Sequence, residues 1–222
     1  MITALTEGLV TEDPNDLHPV PGMAESWTIS EDGTVYTFTL RQEARWTNGD
    51  PVTAQDFIHS FQRILTPELA SEYAYMLFLM KNAEAYHQGS LKDFSQVGAK
   101  ALAEKQLEIT LSTAAPYFLS LLNHYTWYPV HLKTIEKHGG LYDRSNPWTK
   151  PGNFVGNGPF KLKEWRLNDV LAVEKNPDYW DADTVRLQAI HFYPMESAET
   201  QDRAFRAGRL HNTYEMIPAK IK

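Results

Sequence analysis

The stretch Val35 to Leu40 reads V-Y-T-F-T-L. Tyr36, Phe38 and Leu40 fall on one side and Thr37 and Thr39 on the other. Only an extended strand turns that period of two into a single apolar face; a helix would scatter the same residues around its axis. The chain must therefore build a half-buried sheet here. Glu31-Asp32-Gly33 just before it is a turn, so Trp27 and Ile29 are expected on the partner strand of a hairpin.

The segment that follows switches period. Asn48-Gly49-Asp50-Pro51 is a strong turn. Thr53 with Asp56 three residues later makes a capping pattern at the positive end of a helix. Phe57, Phe61, Ile64 and Leu65 share one helical face, and Thr66-Pro67 stops the helix. A second helix is expected over Glu72 to Tyr86, closed by Gly89. Leu107, Ile109 and Leu111 alternate again as a short strand. Pro116 to Asn123 reads as a helix that buries Phe118, Leu121 and Leu122. Phe160 to Trp165 and Val170 to Glu174 flank Leu167-Asn168-Asp169 as a hairpin. Ala189 to Tyr193 is a strand, and Ser197 to Ala207 a helix ended by Gly208. Strands and helices without a regular βαβ rhythm indicate an α/β or α+β sheet protein. Tyr128-Pro129-Val130 marks a domain boundary, and Asp143 to Gly158 is the longest loop.

Composition narrows the function classes. The chain has 222 residues, enough for one large or two small domains. Its net charge of -7 and the lack of a basic stripe argue against nucleic acid as a partner. Without cysteine there is no disulfide, no thiolate zinc site and no thiol catalysis. No apolar run is long enough to span a bilayer, and the first residues do not read as a signal peptide.

No catalytic motif is present: no G-x-S-x-G, no P-loop, no G-x-G-x-x-G. Gly156-Asn157-Gly158-Pro159 reads as a turn into a strand. His124, His131 and His138 recur every seven residues, but Pro129 interrupts any common helix and no carboxylate stands at zinc-motif spacing, so no metal or cofactor is expected. Glu12-Asp13, Glu31-Asp32 and Asp181 with Asp183 sit in polar, turn-like surroundings and read as solvated surface acids. A glycosidase would need two buried carboxyls facing each other. The distinctive enrichment is aromatic: six Trp and eleven Tyr, with clusters at Tyr73-Ala74-Tyr75 and Tyr125-Thr126-Trp127-Tyr128. Most such rings pack a core; an alternative use is a cleft that holds a ligand on flat faces.

Three stretches together resemble extracellular solute-binding protein family 5, the oligopeptide-, dipeptide- and nickel-binding proteins of ABC importers. The first is P-G-M-A-E-S-W-T-I-S-E-D-G-T-V-Y-T-F-T-L-R-Q-E-A-R-W-T-N-G-D-P-V-T-A-Q-D-F, Pro21 to Phe57. The second is G-N-F-V-G-N-G-P-F-K-L-K-E-W, Gly152 to Trp165. The third is N-P-D-Y-W, Asn176 to Trp180, followed by a helix ending A-G-R-L at Ala207 to Leu210. A-S-E-Y-A at Ala70 to Ala74 and A-P-Y-F at Ala115 to Phe118 are most similar to the oligopeptide-binding branch. His211 departs from the family pattern, which has Asp there.

The resemblance implies a partial type II periplasmic-binding-protein fold of the α/β class: one lobe plus the small extra domain, with the second lobe absent. Residues 1–131 would be the small domain with an N-terminal remnant of lobe one, and 132–222 a lobe-one segment. It further implies a non-enzyme, periplasmic or at the cell surface, that holds an extended oligopeptide between lobes and delivers it to ABC permease subunits. By position, Tyr73 resembles a cleft-facing tyrosine and His124 a pocket-lining histidine, and Glu215 and Met216 match a backbone edge that touches the peptide. Family members are considerably longer, so a shortened chain is expected to bind peptide weakly on its own. An unpaired sheet edge would favour a homodimer. Two other readings stay open: a remnant that serves as a protein-interaction domain, and a glycan-active enzyme with aromatic platforms.

Overall fold

The computed structural model describes residues 1–215 and Ile217. The chain starts with a one-turn helix, α1 (Ile2–Leu5), and reaches a two-stranded antiparallel ladder, β1 (Val10–Glu12) with β2 (Pro19–Pro21). The expected hairpin follows as β3 (Ala24–Ile29) and β4 (Val35–Leu40), with Trp27 opposite Phe38. Asp32 ties its turn: Oδ1 accepts from Ser30 Oγ at 2.6 Å and from Thr34 N at 3.1 Å. Tyr36, Phe38 and Leu40 are buried and Thr37 and Thr39 half-buried, as the alternation requires.

α2 (Ala54–Leu65) begins where the capping pattern placed it. Thr53 N donates to Asp56 Oδ2 at 2.8 Å, and Trp46 Nε1 reaches the same oxygen at 3.2 Å. The helix buries Ala54, Phe57, Ile58, Phe61 and Leu65, each large side chain contributing about 1.5–3 kcal/mol of transfer free energy. The long second helix does not form. Its span holds a 3-10 turn, Ala74–Leu77, then Asn82 in a left-handed conformation, then the short α3 (Ala83–His87). The cause is tertiary. Lys81 N donates to Thr110 O at 2.9 Å and Ser112 N to Leu79 O at 2.9 Å, so this segment is drawn out as an edge partner instead of closing helical bonds.

β5 (Ala99–Ala103) and β6 (Gln106–Thr110) complete a four-stranded sheet in the order β3-β4-β6-β5, antiparallel throughout. β5 was not anticipated; its A-K-A-L-A sequence has little strand propensity and only Ala99 is buried. α4 (Phe118–Leu121) is shorter than its expected span, with Phe118 and Leu122 fully buried and Leu121 only half so. α5 (Leu132–His138) then leads into the long loop, which contains a 3-10 turn at Pro147–Thr149.

The remainder is a three-stranded antiparallel sheet: β7 (Phe160–Arg166), β8 (Val170–Lys175) and β9 (Ala189–Phe192), in that order. The β7–β8 hairpin turns through Asn168 at φ 58°. α6 (Ala198–Arg206) is capped by Ser197 Oγ, which accepts from Thr200 N at 3.3 Å, and closes at Gly208 with φ 70°. Two hydrophobic clusters result. The larger joins the four-stranded sheet, α2, Phe118 and Trp127; the smaller gathers Leu5, Phe160, Leu171 and Val173. No helix of the described residues is long and apolar enough to cross a membrane.

Candidate functional site

Two loops that are distant in sequence bring four rings together. Tyr73 and Tyr75 come from the 3-10 turn after α2, and His124 and Tyr125 from the turn after α4. The Tyr73 ring lies 5.3 Å from His124, 6.0 Å from Tyr125 and 6.1 Å from Tyr75; Tyr125 stacks on His124 at 4.2 Å. The loops are held from behind. Trp127 is completely buried, edge-on to both Phe61 and Phe118 at 5.4 Å, and Leu77 is buried beneath the tyrosine turn. The rings themselves face outward: Tyr73 is 41%, Tyr75 57% and Tyr125 42% exposed.

Electrostatically the patch is quiet. His124 Nδ1 accepts from Thr126 N at 3.3 Å and lies 2.6 Å from Thr126 Oγ1. Desolvation lowers the His124 pKa below the ordinary imidazole value, and burial together with Tyr73 raises that of the Tyr125 phenol. Both stay neutral at physiological pH. Such a surface offers π faces, hydroxyls and one imidazole, which suits a ligand with amide groups and variable side chains. Tyr125 also lines a neighbouring apolar cavity of about 370 Å³ shared with Leu5, Ile64, Val130, Phe154 and Trp165.

Tyr73 and His124, expected separately from position, thus share one site. Glu215 does not join them. It lies in coil beyond α6, exposed, with its N–H donated to Gln201 Oε1 at 3.3 Å, and is not part of a strand edge. Met216 lies outside the described residues. The histidine series does not converge: His131 is buried between Asp50 Oδ2 at 2.9 Å and Thr134 Oγ1 at 2.7 Å, while His124 is engaged by Thr126. Glu12, Glu31, Asp32 and Asp183 are exposed, and Asp13 and Asp181 only partly covered.

Sequence reasoning missed a half-buried carboxylate. Glu7 accepts from Tyr179 Oη at 2.6 Å and Trp180 Nε1 at 2.7 Å, and the Arg41 guanidinium lies 3.6 Å over the Trp180 ring. Burial pushes Glu7 up to about 7, with its two hydrogen bonds and Arg41 pulling the other way. Burial likewise raises the Tyr179 phenol strongly and pushes Tyr128 up to about 12. The Glu7 backbone is gripped by fully buried Asn157, which takes Glu7 N at 3.0 Å and gives Nδ2 to Glu7 O at 2.9 Å.

This clamp explains two motifs at once. A Cβ on Gly156 would stand 2.1 Å from Leu5 O, and one on Gly158 2.6 Å from Leu5 C, so Gly-Asn-Gly is a close-approach strap and not merely a turn. Asn176 of the N-P-D-Y-W stretch gives Nδ2 to Gly158 O at 2.9 Å. In the sequence the Gly-Asn-Gly run reads only as a turn, and Asn176, Tyr179 and Trp180 stand in a family motif with no assigned role.

Comparison with known proteins places these features. The model for "Bacterial extracellular solute-binding proteins, family 5 Middle" matches residues 18–222. The chain is 39% identical over 220 residues to the dipeptide-binding protein DppE of Bacillus subtilis, covering 98% of this chain and 38% of that protein. It is 38% identical over 219 residues to the periplasmic oligopeptide-binding protein OppA of Salmonella typhimurium, covering 98% and 39%. Among solved structures, the Escherichia coli murein tripeptide binding protein MppA superposes with a TM-score of 0.87 at 36% identity, over 94% of this chain and 40% of that one. Haemophilus influenzae OppA in complex with RPPGFSPFR matches with a TM-score of 0.87 at 34% identity, over 94% and 40%. The chain spans about two-fifths of the length of the relatives it matches, and its fold is part of the periplasmic-binding-protein fold that they share.

Proposed function

Because the chain belongs to bacterial extracellular solute-binding protein family 5, we propose that it forms one wall of a peptide-binding cleft in the substrate-binding component of an ABC importer. The observation that carries this reading is the outward-facing group of Tyr73, Tyr75, His124 and Tyr125, supported on the buried Trp127. An extended peptide laid across it would stack side chains on the rings and offer its backbone to the phenols and the imidazole. Closure of a second lobe of the kind the family implies would bury the peptide from the other side. The protein works outside the cytoplasm, in the periplasm or at the cell surface, and hands its ligand to a membrane permease. The surface is read as a binding face and not a catalytic one: its histidine is held by a threonine, and the half-buried Glu7 carboxylate is spent on holding Trp180 and Tyr179.

A thermal-shift titration with a mixed pool of two- to five-residue peptides tests this, since a ligand that binds only the native state raises the melting temperature. With one wall only, the ordering cost of the peptide is not fully offset, so a small dose-dependent rise is expected at high peptide concentration. Loss of that rise in Tyr73→Ala and His124→Ala would locate the site. A flat response across the whole concentration range, from a protein that melts cooperatively, would sink the proposal.

A further inference from the structure

We propose that Thr126 is a positioning residue that locks His124 as the tautomer protonated on Nε2, so that the aromatic site presents one fixed N–H donor and selects an oxygen acceptor, a peptide carbonyl or carboxylate. This rests on the solute-binding reading above for its ligand and on geometry alone for its tautomer.

A backbone N–H can only donate, and Thr126 N points at His124 Nδ1 at 3.3 Å. Nδ1 must therefore offer its lone pair. The Thr126 hydroxyl, 2.6 Å from the same nitrogen, completes the arrangement as a donor. A neutral imidazole with an accepting Nδ1 carries its proton on Nε2. Thr126 is itself buried and precedes the completely buried Trp127, so the lock is anchored in the core and not in the exposed rim. The ring plane is set by the Tyr125 stack at 4.2 Å and by Tyr73 at 5.3 Å.

Nε2 has no hydrogen-bond partner among the described residues, yet it is not among the enclosed polar atoms left unpaired, which are Asn123 Nδ2 and Trp127 Nε1. It is therefore not enclosed and remains accessible to a ligand acceptor. The titratable groups that face the imidazole are the phenols of Tyr73 and Tyr125, with Tyr75 beyond them and Glu72 acting on Tyr125. No carboxylate bonds to the ring to favour imidazolium. The site thus keeps a neutral donor where a protonated histidine would carry charge, and it discriminates by hydrogen-bond direction.

Long-range proton–nitrogen spectra of the chain, labelled at histidine and assigned with His124→Gln, read the tautomer directly. Expected is an Nε2–H ring in the wild type. Thr126→Val should give a mixture of tautomers and an upward move of the His124 titration midpoint, and Thr126→Ser should restore both. Tri-alanine should shift the Nε2 resonance, with roughly threefold to tenfold weaker apparent affinity in Thr126→Val. A wild-type ring protonated on Nδ1, or a Thr126→Val spectrum unchanged from wild type, overturns the lock. Tri-alanine that moves no resonance overturns the donor assignment and the solute-binding reading together, while the tautomer readout, taken without ligand, separates that failure from failure of the lock.

Discussion

The two hydrophobic clusters are built on different principles. The larger closes a helix, a four-stranded sheet and two aromatic turns around Phe38, Phe57, Phe61, Phe118 and Trp127, all completely buried. The smaller rests one three-stranded sheet on Leu5 and a few half-covered side chains such as Phe154, Leu162 and Ile190. The first can keep its shape by packing alone. The second leans on polar fastening: Asn157, Asn176 and Glu7 stitch the N-terminal segment to the start of β7 and to the Tyr179–Trp180 turn. Outward-facing rings stand on the first region, and the seam between the two is held by largely covered hydrogen bonds.

Breaking the packed region should cost most. Trp127→Ala removes a ring that touches both Phe61 and Phe118 and should lose about 4 kcal/mol in denaturant unfolding. The same change should loosen His124 and Tyr125 and abolish the peptide response. A loss under about 1 kcal/mol would mean that the cluster is not the principal core.

The seam should respond to pH. Glu7 ionises near 4.5 when unfolded and near 7 when folded. Below pH 4.5 both states hold the proton and its burial carries no charge penalty. Between pH 4.5 and 7 the unfolded state alone gives up the proton, so stability falls as pH rises, by about 3 kcal/mol over the window, and levels off above it. Glu7→Gln should flatten that slope while keeping an acceptor for Tyr179 and Trp180. A wild-type curve with no decline across this window would refute the assignment.

Asn157→Ala sharpens the contrast further. It strands the Glu7 backbone N–H and C=O in the seam and should cost about 2–3 kcal/mol, measured by chemical unfolding. Retained stability would show that the strap glycines, not the asparagine, hold the N-terminal segment. The smallest effect belongs to the edge of the second region: Ser197→Ala removes the α6 cap and should cost about 1 kcal/mol, with faster amide exchange confined to the first turn of the helix.

Much of the first region was legible beforehand, because its signals are local. Tyr36, Phe38 and Leu40 announce a strand by spacing, and Thr53 with Asp56 announces a helix start by cap chemistry. The span Glu72 to Tyr86 was misjudged for the opposite reason: its helix propensity is real, but Lys81 and Leu79 find partners on Thr110 and Ser112. For the candidate site, Tyr73 and His124 were nominated by motif position alone. Their meeting at 5.3 Å, with Tyr125 as the third ring, follows from two turns anchored on Leu77 and Trp127.

By itself the sequence determined the β3–β4 hairpin, the capped α2, the β7–β8 hairpin and the family, since each depends on neighbours within a few residues or on a run of characteristic motifs. Only the tertiary structure decided that Glu7 is a desolvated acid, that Gly156 and Gly158 press on Leu5, and that four rings from distant turns form one face. Burial and close approach belong to pairs of segments separated by up to 173 positions, and no local pattern of period two or 3.6 carries information about such pairs.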